Sequence, residues 1–325
     1  MRTPSLPHPA TRFQPPAAAL VATSGISGQC GAALATKLFS QVGPAGTLTL
    51  RLAFATVALV LLARPGTRDL RRLLHPVDRG DLIVVVAFGL ALAGMNLSFY
   101  EAIARIPLGV AVTVEFVGPL TIAVVGSRRW TDGLWATLAA AGVLLIASGS
   151  LFGVVHHLDP AGIGFAALAG SFWAAYILLN KETGKRFQGT TGLAGAMAVG
   201  TLLVVPIGVA HAGAALFRPS VLGVGAGVAL LSSAIPYSCE MAALRRATPR
   251  AFGILLSMAP ALAAVAGLAI LGQRLSPLEL GAIVLVVGAN VGSSWVGTRA
   301  AADARELTPA DSGGSPATPA TTARP

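Results

Sequence analysis

Two stretches decide the fold: residues 96–119, NLSFYEAIARIPLGVAVTVEFVGP, and residues 237–260, YSCEMAALRRATPRAFGILLSMAP. Each runs from a polar residue near a helix end, past an arginine, to a proline inside an apolar run. Sliding the chain along itself by 141 residues lays Arg105 on Arg246, Pro119 on Pro260, Ala123 on Ala264, Val124 on Val265 and Gly126 on Gly267. Lys37 and Lys181 end corresponding apolar runs, and Arg128 and Arg129 precede one run much as Gln273 and Arg274 precede its counterpart. The order of these features is kept, which marks a duplicated unit.

Working outward, the chain reads as ten apolar runs near 17–36, 46–63, 82–100, 108–126, 134–152, 161–179, 192–210, 221–243, 251–271 and 278–296. A hydrocarbon core about 30 Å thick needs about 20 helical residues per crossing, and its backbone groups must be satisfied within the segment. The runs are continuous, without the period-two alternation of a barrel strand. With 54% hydrophobic residues, 11% charged and 38 glycines, the composition is that of an all-α integral membrane protein. Five crossings per unit is an odd number, so the second unit inserts upside down. The expected fold is ten transmembrane helices in two inverted five-helix repeats, 17–152 and 161–296, between disordered tails 1–16 and 297–325. An alternative, a cleavable signal peptide over residues 1–22, is set aside because the first run is needed for the count.

A formal charge of +10 would suggest a nucleic-acid partner in a soluble domain, so its placement matters. Thirteen Lys and Arg residues fall in the second, fourth, sixth and eighth loops, against four in the alternate loops and their edges. The positive side of a membrane protein stays in the cytoplasm, which puts both termini inside and the protein in the cytoplasmic membrane as a multi-pass chain. Topology explains the charge, and no nucleic-acid partner is expected. Cys30 and Cys239 lie in apolar runs without metal-ligand spacing and read as small apolar residues. His156 and His157, between the units, read as solvated loop rather than as a metal site.

Several polar residues fall inside runs. Glu115 sits about a third of the way into the fourth, where a charge costs about 2.5–3.5 kcal/mol on insertion scales. Such residues pair or line a wet cavity, and a carboxyl there can take up and release a proton during transport; the alternative is a neutral Glu bonded to a neighbouring helix. Arg51, in the first turns of the second run, either snorkels to the interface or pairs with Glu115 or with a solute carboxylate. Gln29, Asn96 and Tyr100 can offer hydrogen bonds to a polar solute; Asn290 is a further polar residue, in the tenth run. Glu101 precedes Arg105 by one helical turn, which suggests an interfacial pair. Glu240 stands near Arg245 and Arg246 and reads the same way. Across the repeat Glu115 faces Leu256, so the buried carboxylate is expected from the first unit alone. Pro119 and Pro260 each remove one helix hydrogen bond and should kink their helices at matched places. Gly288 and Gly292 have the spacing of a close helix contact.

The stretches KLFSQVGPAGTLTLRLAF, GMNLSFYEAIARIPLGVAVTVEFVGPL with SRRW, and IPYSCEMAALRRATPRAFGILLSMAPALAAVAGLAILGQRLSP resemble the drug and metabolite transporter superfamily with two EamA-type halves. Within it they are most similar to the bacterial threonine and homoserine exporters. The resemblance covers nearly all of 17–296 and implies a secondary carrier exporting small amino acids or related metabolites against proton influx by alternating access. By position it places Arg51, Asn96, Tyr100, Glu115, Tyr237 and Glu240 around a central cavity. This chain departs from it at Ala259, where similar exporters have Glu in SMEP, and at Gln273, where many members have Glu.

The expected partners are thus a small-molecule solute, a proton as coupling ion and membrane lipid; the oligomeric state is open between monomer and homodimer. No cofactor is implied, and no G-x-x-x-x-G-K-[ST] loop exists to power transport with nucleotide. A membrane-embedded enzyme would need a nucleophile with its base, or metal ligands, within the bilayer. The histidines lie in tails, loops and span edges instead. A carrier for another metabolite or drug, and a non-transporting scaffold or sensor, are the remaining alternatives.

Overall fold

The structure is a computed structural model and describes residues 16–63, 79–125, 130–151, 158–187, 191–244 and 256–306. Among the described residues every regular element is helical: α1 (Ala17–Thr36), α2 (Phe39–Ala63), α3 (Arg79–Ile103), α4 (Leu108–Glu115), α5 (Val117–Val125), α6 (Trp130–Leu151), α7 (Pro160–Arg186), α8 (Thr191–Ala212), α9 (Pro219–Ala229), α10 (Ile235–Leu244), α11 (Ala259–Leu271) and α12 (Pro277–Glu306). A tight turn of helix, Gly213–Phe217, follows α8, and a wide π-turn, Leu230–Ala234, joins α9 to α10. Five stretches are long and apolar enough to cross a bilayer: Ala18–Thr36, Arg79–Ile103, Pro160–Arg186, Thr191–Phe217 and Pro219–Glu240. Shorter apolar helices occupy Leu108–Ile122, Gly133–Leu145, Ala259–Leu271 and Pro277–Gly292. Each apolar run read from the sequence is helical wherever it is described, apart from Phe116 and the turn at Ser257 and Met258. Most arginines that set the expected orientation (Arg64 to Arg72, Arg128, Arg129, Arg245, Arg246 and Arg250) lie outside the described residues, as do His156 and His157.

Helix ends follow local chemistry. Asp159 accepts a hydrogen bond from the Ala161 amide at 2.9 Å and Pro160 occupies the first position, so α7 begins with a side-chain cap and a residue that lacks the surplus N–H. At α12 the Ser276 amide donates to Glu279 at 2.6 Å and the Glu279 amide to the Ser276 hydroxyl at 3.3 Å, a reciprocal capping box. α11 stops at Gly272, whose φ of 66° only glycine adopts without strain. Gly43 (φ 68°, ψ 173°) is non-helical and splits α2 into a short turn from Phe39 and a long helix that begins at Pro44, two residues before the expected 46. α12 runs past 296 to Glu306, since the Ala, Arg and Glu of that segment are strong helix formers even where the run is no longer apolar.

Both interior prolines sit just beyond a helix break. α4 gives way to α5 at Phe116, three residues before Pro119. A turn at Ser257 and Met258 precedes α11, in whose first turn Pro260 lies. The two breaks stand at matched places in the two stretches that opened the sequence reading.

The helices pack mainly in pairs: α3 with α7, α2 with α8, α6 with α12, α4 with α11, and α1 with the π-turn and α10. Small residues let them approach. A methyl group on Gly118 would lie 1.9 Å from the Gly170 carbonyl oxygen, and one on Gly170 would lie 2.6 Å from the carbonyl oxygen of Glu115. That carbonyl is the one Pro119 leaves without its helical donor, so the broken rod rests its exposed backbone on α7. Gly292 meets the ring of Trp135 on α6 as its motif suggests, whereas Gly288 faces open space.

Candidate functional site

A cavity of about 270 Å³ opens among α1, α2, α3, α4, α7, α10 and α11. That lies just below the roughly 300–1,000 Å³ of pockets for drug-sized ligands, a size suited to a small solute. Five residues singled out from the sequence line it: Gln29, Arg51, Asn96, Glu115 and Glu240. Glu115 is the last residue of α4, 9% exposed, and is carried to the cavity by the break at Phe116. Behind it, the Phe116 ring stands edge-on to Trp173 of α7, centroids 4.8 Å apart at 90°.

Arg51 turns inward and does not snorkel. Its Nη1 donates to Asn96 Oδ1 at 2.9 Å, with longer contacts of 3.4 Å from Nε to the Ser233 hydroxyl and from Nη2 to the Ser232 carbonyl. Asn96 is itself fixed, its Nδ2 donating to the Leu92 carbonyl at 2.8 Å. The guanidinium lies over the Tyr100 ring at 5.6 Å. A cation over an aromatic face is held by the ring quadrupole.

Tyr100 lies outside the cavity lining, as a floor beneath Arg51, with its buried hydroxyl lacking a hydrogen-bond partner among the described residues. It is fully buried, packed against Phe39 at 5.7 Å and Phe99 at 6.3 Å, and supports Arg51 from behind the cavity wall. Asn290 is buried within α12 and donates to the Val286 carbonyl at 2.9 Å, away from the cavity. The Tyr237 side chain lies outside the described residues. Glu101 and Arg105 pair as anticipated, and Arg105 also reaches Asp159 at 3.8 Å and covers the Phe165 ring at 4.9 Å.

Glu240 overturns the expectation of a carboxylate from the first unit only. It sits on α10, lines the cavity, and accepts a hydrogen bond from the Ser24 hydroxyl of α1 at 2.7 Å. The repeat comparison missed it because its counterpart, Phe99, is apolar; the convergence arises in space from positions that do not align. The sequence reading also passed over Trp173 and Tyr176, spaced one helical turn apart on α7, whose aromatic character resembles that of any span facing lipid. Ser24 and Ser232 carried no signal, being small hydroxyls in apolar runs.

The two departures from the resembling exporters fall in different places. Ala259 lines the cavity. Gln273 instead caps α4, its Oε1 accepting the Leu108 amide at 3.0 Å. A Glu could accept the same bond, so that change leaves the site's chemistry alone.

The EamA-like transporter family pattern matches residues 160–295. The threonine/homoserine exporter RhtA of Escherichia coli (strain K12) is 41% identical over 275 residues, covering 85% of this chain and 89% of that protein. The protein of the same name from Salmonella typhimurium (strain LT2) is 40% identical with the same coverage. A solved crystal structure superposes over 88% of this chain and all of its own, with a TM-score of 0.54 and 20% identity, which bears on the fold alone.

Proposed function

The chain belongs to the EamA-like transporter family, and from that premise we propose that it exports small amino acids of the threonine and homoserine kind across the cytoplasmic membrane, in which it is a multi-pass protein. The observation that carries this reading is the cavity, where one guanidinium and two carboxyls from distant parts of the chain converge on a space of amino-acid size. A zwitterion presents the complementary pair of charges. Such groups are costly in a bilayer and collect where a solute or ion passes.

The transport cycle is proton antiport by alternating access. Glu115 is the proton carrier: it ends a helix at a break, so its backbone can move with the rocking halves. Those halves are 17–152 and 161–296, inverted relative to each other, with both termini in the cytoplasm. Helix pairing supports the inversion. Exchanging each helix with its counterpart carries the α3–α7 pair onto the pair formed by α1 with α9 and α10, and returns α2–α8, α4–α11 and α6–α12 each to itself. The matched breaks before Pro119 and Pro260 obey the same exchange.

Purified protein in liposomes loaded with labelled threonine tests the reading. Release that exceeds protein-free vesicles and accelerates when a proton gradient opposes the solute flux is expected. Release indistinguishable from empty vesicles, for threonine and homoserine alike, would remove the assignment.

A further inference from the structure

The polar groups of the cavity sort into two stations. Gly31 brings α1 against the π-turn so closely that a methyl group there would lie 2.2 Å from Ser232 Oγ. Gln29 stands two residues away on α1, about 3 Å of helix rise, and Arg51 reaches the carbonyl of the same Ser232. Arg51, Gln29 and Ser232 therefore share one level. Ser24 and Glu240 mark another, eight residues along the helix from Ser232, about 12 Å of rise, and on α1 five residues from Gln29, about 7.5 Å.

At the first level two buried polar atoms, Gln29 Oε1 and Ser232 Oγ, have no hydrogen-bond partner among the described residues. Leaving a buried acceptor unmade costs about 1–3 kcal/mol, and such atoms persist where a ligand or a change of conformation satisfies them. Gln29 lines the cavity, and its terminal torsion is soft, so a turn of the amide brings the oxygen to the open side. The partners that hold Arg51 there include an amide, a hydroxyl and a carbonyl. A carboxylate would make the stronger, charge-assisted bond and can be gripped by two guanidinium nitrogens at once.

Building on the proposed export of amino acids, we propose that Arg51 and Gln29 read the zwitterionic head of the solute, Arg51 its carboxylate and Gln29 Oε1 its ammonium, while Glu240 stands at the second station. The π-turn fixes this pairing, because the backbone that it re-routes supplies the Ser232 and Ser233 groups that aim the guanidinium. The solute side chain is left to the apolar wall of Leu92, Met95 and Phe99, so recognition rests on the amino-acid head and the wall sets only size.

The test is competition against labelled threonine transport by the full chain in liposomes, with threoninamide and with the 2-hydroxy acid in which a hydroxyl replaces the amine. Both analogues keep the solute's size. With the wild type each competes at least about tenfold more weakly than threonine. Gln29→Leu removes an acceptor that has no described partner, so the fold keeps its bonds; it brings the hydroxy acid close to threonine while the amide stays weak. Arg51→Gln, with Arg51→Lys as the better-tolerated companion, brings the amide close to threonine instead. Threonine moved by the wild type with both analogues equally potent overturns this inference alone, as does Gln29→Leu changing both ratios together. No threonine movement by the wild type overturns the transport reading and this inference with it.

Discussion

The α3–α7 pair and the pair that α1 makes with α9 and α10 are counterparts under the proposed repeat, yet they are built differently. α3 and α7 are uninterrupted helices of 25 and 27 residues, tied at one end by Arg186 and Asp81 at 3.2 Å and at the other by Arg105 and Asp159 at 3.8 Å. Between those ends the ring of Phe172 packs where Gly94 has no side chain. The second pair is interrupted by the π-turn, and the described side-chain bonds across it are two hydroxyl contacts, Ser27 to the Leu231 carbonyl at 2.8 Å and Ser24 to Glu240 at 2.7 Å. A π-turn inside a helix frees backbone groups and often marks a functional place. Under the proposed repeat, one pair serves as a brace and its counterpart as a working face.

If that division is right, damage should separate cleanly into loss of fold and loss of transport. The largest expected effect is where α5 leans on the brace: Gly118→Ala pushes a methyl group into the Gly170 carbonyl of α7, which has no soft end to yield, and should cost about 3 kcal/mol. Thermal unfolding in detergent checks this, and a wild-type transition would show the contact to be looser than drawn. Glu240→Gln tests the working face. The amide still accepts from Ser24, so the transition temperature should hold while proton-driven export falls about tenfold or more; equal transport would demote Glu240 to packing. Arg105→Ala loosens one end of the brace at a partly exposed pair and should cost under about 1 kcal/mol, with export near normal. Smallest of all is Gln273→Glu, which keeps an acceptor for the Leu108 amide and should change neither the transition nor export.

Particular residues show what a sequence can and cannot disclose. The helices were legible because a continuous apolar run in a membrane has few alternatives, and the matched prolines announced the breaks before α5 and α11. Glu115 and Arg51 were legible because charge is rare and costly there. Glu240 was ambiguous, since a carboxyl near the end of a run is equally at home in an interfacial pair, and only the packing of α10 against α1 turns it to the cavity. Tyr100 misled for the opposite reason: its hydroxyl advertises hydrogen bonding, but three neighbouring side chains enclose its ring. The π-turn left no trace in the sequence, because LLSSA has no residue whose backbone demands it. What meets it is the close approach of Gly31, a contact between residues about 200 positions apart.

The central claim is that the cavity lined by the working face couples a solute to a proton through Glu115 of α4. The most direct measurement compares wild type and Glu115→Gln in liposomes under two regimes, proton-driven export and solute exchange with no gradient. The account predicts that the variant loses the response to the gradient while keeping exchange, since the binding station at Arg51 and Gln29 is intact. A variant whose export follows the gradient as the wild type does would contradict it.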